Sequence, residues 1–65
     1  MSDNKWRDMG IDAAHEDIAQ KGDACATIEE ARVRIGAWLR DTAATPEDIE
    51  ACAQGYLAGW KESGR

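Results

Sequence analysis

Long apolar runs are missing from this chain of 65 residues. No window approaches the ~18 apolar residues that a membrane-crossing helix needs. Met1 to Asp8 are mostly polar and lack the apolar stretch of a signal peptide, so the expected compartment is the cytoplasm. Cysteine is sparse, with only Cys25 and Cys52, whereas small secreted domains are usually dense in disulfides. The two are not at CxxC spacing and His15 is the only histidine, so no zinc pattern is present; free, buried thiols are expected instead. With 6 glycines and 1 proline, collagen-like and low-complexity classes are excluded. The glycines never cluster as GxGxxG, which removes that phosphate-binding loop. Bases are few: 8 Lys plus Arg stand against 13 Asp plus Glu, for a net charge of −5. Proteins that hold nucleic acid or anionic membranes need a positive footprint, so neither is an expected direct partner.

What remains is an ordinary globular balance, 43% hydrophobic and 32% charged, in a chain long enough for one small domain spanning residues 1–65. A domain of this size buries only about 60% of the surface of its unfolded chain. Every large apolar side chain therefore counts toward the core.

Three amphipathic segments are legible, and no run of four or more residues alternates as a strand would. The expectation is an all-α fold, a compact bundle of three helices over about 4–20, 27–42 and 46–63. In the second segment Ile28, Ala31, Ile35, Trp38 and Leu39 fall on one stripe at ~100° per residue. Thr27 followed by Glu30 forms a capping box at its start. In the third, Ile49, Cys52, Ala53, Tyr56, Leu57 and Trp60 recur at helical spacing. Thr45 is its natural N-cap, Pro46 fits the first position, and Gly64 stands where a terminating residue belongs. The first segment is thinner: Trp6, Met9, Ile11, Ala13, Ala14 and Ile18 spread broadly, Asp17 interrupts them, and Gly10 lowers helix propensity by up to ~1 kcal/mol. Lys21-Gly22-Asp23 reads as its stop. The loop Asp41 to Thr45 is short enough to make the second and third helices antiparallel neighbours. Trp60 is then expected to meet Ile28 and Ala31, and Ile49 to meet Trp38 and Leu39.

Candidate chemistry is scarce. His15 lies on the polar side of the first segment with no serine placed to attack, so a solvated surface histidine is the expectation. The carboxylates scatter as capping and solubilising charges, and no catalytic, cofactor-binding or metal-binding set is assigned. Binding candidates are clearer. Trp38 and Trp60 belong to the core stripes, while Trp6 either staples the N-terminus or anchors a partner. Asp41, Glu47, Asp48 and Glu50 gather with no base among them; they either complement the helix dipole or face a basic surface on another protein. On the third helix Ala51, Gly55, Ala58 and Gly59 form a strip of small residues that admits close approach of another backbone. Either a helix of the same chain packs there, or a second copy does. Val33, Ala51, Gly55 and Ala58 are the candidate self-association residues, and a homodimer is expected.

Gly55-Tyr56-Leu57-Ala58-Gly59-Trp60-Lys61-Glu62-Ser63 resembles the second helix of the ribosome modulation factor family, and Gly10-Ile11-Asp12-Ala13-Ala14 is faintly similar to that family's first helix. The resemblance implies a shared mode of helix packing and, as one possible function, a regulator associated with the ribosome or RNA. That family is short, two-helical and strongly basic. This chain is acidic and places a whole capped helix between the matching segments, so no RNA-contacting residue is carried over. The leading expectation is a non-enzymatic acidic interaction protein that binds another protein with a basic surface. Its most concrete form is a phage or mobile-element inhibitor of the anti-CRISPR type that covers a nucleic-acid-binding face. A small structural subunit acting as an oligomer is the remaining alternative.

Overall fold

The computed structural model describes residues 3–63. It is all-α: α1 (Asp3–Ala19), α2 (Ile28–Trp38) and α3 (Pro46–Ser63). Among the described residues there is no strand, and no helix is long and apolar enough to cross a membrane. Gly64 lies outside the described residues.

The caps form where the side-chain chemistry places them. The Thr27 hydroxyl accepts from the Glu30 amide at 3.2 Å, which satisfies one of the open donors of the first turn of α2. Glu30 does not complete the box; its carboxylate lies 3.4 Å from Arg34 one turn on. The box at α3 is reciprocal. The Asp48 amide donates to the Thr45 hydroxyl at 3.1 Å and the Thr45 amide to the Asp48 carboxylate at 3.2 Å. At the end of α1 the Gly22 amide donates to the Asp17 carbonyl and the Lys21 amide to that of Ile18, the paired bonds of a Schellman motif. The left-handed residue is Lys21, at φ 60°, and not the glycine beside it. α2 ends at Trp38, short of the expected residue 42. Beyond the buried Leu39, Arg40 to Ala43 are exposed and have no apolar face to bury, so the chain turns.

One core cluster joins the three helices: Ala14 of α1; Ala31 and Ile35 of α2, with Leu39 at its end; Cys52, Ala53, Tyr56 and Trp60 of α3; and Cys25 from the first loop. Trp60 is inside as expected. Trp38 is not: it is 53% exposed. The physical reason is its angle. Trp38 stands about 60° around α2 from Ile35, at the edge of the stripe that faces α3, and the side it points to is not filled by α1. Cys25 and Cys52 are both buried free thiols, as expected. Burial pushes both thiols above their ordinary value.

The closest packing is between α1 and α3. A Cβ on Gly10 would overlap the Cys52 carbonyl oxygen and sit 2.7 Å from the Tyr56 nitrogen; one on Gly55 would sit 2.9 Å from the Arg7 carbonyl carbon; one on Gly59 would sit 2.7 Å from the Ala14 Cβ. Small residues on both helices let two backbones touch, and the order of these contacts shows that α1 and α3 run in the same direction. The small-residue strip is therefore covered, at Gly55 and Gly59, by a helix of the same chain. Gly55 is corrected from a self-association residue to a seam residue.

Candidate functional site

α1 and α2 both rest on α3 but barely touch each other, and a groove runs between them. Its deeper part has a volume of about 170 Å³, lined by Ala13, Glu16 and Asp17 of α1, Arg34, Ile35 and Trp38 of α2, and Tyr56 of α3. It continues into a shallower stretch of about 270 Å³ lined by Met9, Asp12, Ala13, Glu16 and Trp38. Helical spacing explains the α1 wall. Met9, Ala13 and Glu16 follow one another at i, i+4 and i+7, with Asp12 alongside, on the flank turned away from the Gly10–Ala14 seam.

At the floor, one hydrogen-bonded relay spans the three helices. Arg34 donates to the Tyr56 hydroxyl at 2.9 Å, and that hydroxyl donates to the Asp17 carboxylate at 2.5 Å. The Arg34 guanidinium also donates to the Asp23 carbonyl at 2.7 Å, which ties the α1–α2 loop to α2, and lies 5.8 Å from the centre of the Tyr56 ring, within cation–π range. Burial, and then the bond given to Asp17, raise the Tyr56 pKa; the bond to Tyr56 raises that of Arg34. Tyr56 thus bridges α1 and α2 at the base of the groove. The indole N–H of Trp60 is buried without a hydrogen-bond partner among the described residues.

Charge in the groove is unbalanced. Arg34 is held by Tyr56, loop carbonyls and Glu30. Asp12 and Glu16 are exposed and have no ion-pair partner among the described residues. Across the groove from them, at the end of α2, stands Trp38, a large aromatic left half in water. An indole face with adjacent carboxylates is suited to cationic side chains, through cation–π attraction and charge pairing. Among the described residues no cluster of three or more His, Cys, Asp or Glu side chains could hold a metal ion. His15 is exposed.

The residues singled out from sequence do not converge. Trp6 packs against the core and is only partly exposed, which makes it a staple for the start of α1. Glu50 is engaged by Arg32, with Nε to Oε1 at 2.7 Å and a second nitrogen to Oε2 at 3.1 Å, and Gln54 adds a bond at 3.2 Å; Arg32 in turn lowers the Glu50 pKa. Asp48 is occupied in capping Thr45. Asp41 and Glu47 of that acidic corner are exposed, while Glu50 and Asp48 are half-buried at the surface and already engaged within the chain. Val33 is 72% exposed, and Ala51 and Ala58 are half buried. Sequence reasoning missed the groove. The signal for its α1 wall was present in the i, i+4 pair Asp12 and Glu16 beside Met9 and Ala13, but nothing local says that α2 stands off from that flank.

No protein-family model, no curated protein and no solved structure matches this chain.

Proposed function

We propose that this chain is a non-enzymatic interaction protein that docks onto a basic surface of another protein through the groove between α1 and α2. The observation that carries the reading is Trp38, 53% exposed between two helices whose facing flank presents the unpaired carboxylates of Asp12 and Glu16. A half-wet tryptophan is the residue type that contributes most per contact when a partner removes it from water. The net charge of −5 repels acidic partners and speeds encounter with basic ones. A basic surface of that kind commonly holds phosphates, so the chain would compete with nucleic acid for it, as an inhibitor does.

Amide shift mapping of the isotope-labelled chain with a lysine-rich peptide tests the site. The expected shifts fall on Met9 to Asp17 and Arg34 to Trp38 and fade with added salt. Shifts confined to Asp41 to Glu50 would move docking to the acidic corner.

Self-association has support at one place, Val33, 72% exposed on the outer face of α2. Sedimentation equilibrium that finds only a 7.1 kDa species up to about 100 μM would remove it, since an affinity weaker than that leaves the chain monomeric.

A further inference from the structure

We infer that the segment received by the groove is an amphipathic cationic helix of the partner, with its apolar stripe against Met9, Ala13 and Trp38 and a pair of lysine or arginine side chains one turn apart reaching Asp12 and Glu16. This rests on the docking reading above and gives its occupant a shape and a register.

The backbone decides between a helix and an extended strand. Among the described residues there is no strand and hence no open sheet edge, and the amides and carbonyls of α1 and α2 are spent within their own helices. An extended segment gains affinity mainly by main-chain bonds to such an edge, and in this groove it would bury its backbone without partners. A helix brings its backbone already satisfied and needs only side-chain complementarity. The dimensions agree. α2 has 11 residues and α1 has 17, about 16 and 25 Å at 1.5 Å per residue, which is contact length for three to four turns of a third helix laid on both. Two helices standing on α3 and apart from each other are a bundle with one position open, and a fourth helix is the element that completes it.

Charge fixes the register and argues against two other occupants. Asp12 and Glu16 are i, i+4 neighbours, about 6 Å apart at Cβ, and cationic residues at i and i+4 on a facing helix repeat that spacing. A second copy of this chain brings a net charge of −5 and, on the outer side of α2, the exposed acids Glu29 and Glu30, so it would set carboxylates against carboxylates. A small molecule is poorly held, since the deeper part of the groove is only about 170 Å³ and the larger stretch beside it is shallow and open to solvent, whereas ligand sites enclose most of what they bind.

The test uses two synthetic peptides of about 15 residues and identical Leu, Ala and Lys composition, long enough for a marginal helix. One is ordered with lysines at i, i+4 bordering a leucine stripe, and the other is scrambled to have no face. Amide shifts and circular dichroism are followed for both. The ordered peptide is expected to bind at least about tenfold more tightly, to gain helicity on binding, and to shift Met9 to Asp17 with Arg34 to Trp38. Trp38→Ala and Glu16→Lys, both at exposed positions, are expected to weaken it about tenfold each. Equal affinity of the two peptides at the groove overturns the helix inference and leaves a basic partner standing. Absence of groove shifts with either peptide overturns the docking reading itself. Groove shifts that grow with protein concentration and no peptide make the occupant a second copy, and the inference fails.

Discussion

α1 meets its two neighbours in opposite ways. Toward α3 it presents Gly10 and Ala14, and the backbones come so close that a single Cβ on Gly10 has no space. Toward α2 it presents Met9, Asp12, Ala13 and Glu16, and a groove stays open with Trp38 half in solvent. The difference teaches that close approach in this bundle comes from what is absent at a helix surface, while the open side is kept by larger and charged groups that carry their own hydration. The dry seam supplies stability, and the wet groove is where binding is available. Tyr56 ties the two together: it packs in the core and holds Asp17 and Arg34 across the floor of the groove.

The largest effect that would break this comparison belongs to the seam helix. Trp60 is 8% exposed, and Trp60→Ala is expected to cost about 3–5 kcal/mol, close to the whole stability of so small a domain. A chemical melt that kept its midpoint would show that Trp60 is not core. Gly10→Ala comes next. The added methyl meets backbone, which cannot swing away, and overpacking of this kind costs about 1–3 kcal/mol; a thermal melt by circular dichroism reads it. Helix propensity alone predicts the opposite sign, so an unchanged or raised midpoint would mean that the seam is looser than the geometry requires.

Alkaline pH strikes the core through groups the seam and loop bury. Cys25, Cys52 and Tyr56 all have raised pKa values in the folded chain, above ordinary values of 9.0 for the thiols and 10.0 for the phenol, with burial the first cause in each. A raised folded value means that the folded state binds the proton more tightly. Stability is then fully present below the unfolded values and is lost as pH rises through the folded ones. The urea midpoint is expected to hold up to about pH 8.5 and to fall above it, and Tyr56→Phe should remove the tyrosine share of that fall. A midpoint flat to about pH 11 would show these groups to be hydrated.

Two smaller effects sharpen the contrast. Gly36 of α2 has nothing within 4 Å of where its Cβ would stand, so Gly36→Ala is expected to stabilise the chain by up to about 1 kcal/mol. The same substitution thus has opposite signs at Gly10 and Gly36, and equal signs would dissolve the comparison. Trp38→Ala is expected to leave the melt within about 0.5 kcal/mol of the parent, because its side chain is already half in water. A loss of several times that would place Trp38 among the residues that hold the fold together.

Much of the framework was legible along the chain, and for local reasons. Thr27 and Thr45 cap the helices they precede, because a hydroxyl there meets an amide three residues on. Cys52, Ala53, Tyr56 and Trp60 share the inward side of α3 because helical spacing puts them there. The errors have a common cause. Trp38 belongs to the stripe of α2 by angle, but its burial depended on whether α1 would reach it. Glu50 looked free in a run without bases, but Arg32 arrives from 18 residues earlier. Asp17 looked like a flaw in the first stripe, and it is the acceptor for a tyrosine 39 residues away.

What the sequence by itself determined is therefore the number, type and caps of the helices and the inward face of α3, since each follows from neighbours within one or two turns. Only the tertiary structure decided which helix covers Gly55 and Gly59, which charges are spent internally, and that Asp12, Glu16 and Trp38 face a common groove. Those outcomes depend on how closely two backbones can approach, and that distance is set jointly by residues on different helices, so no single stretch of the chain contains it.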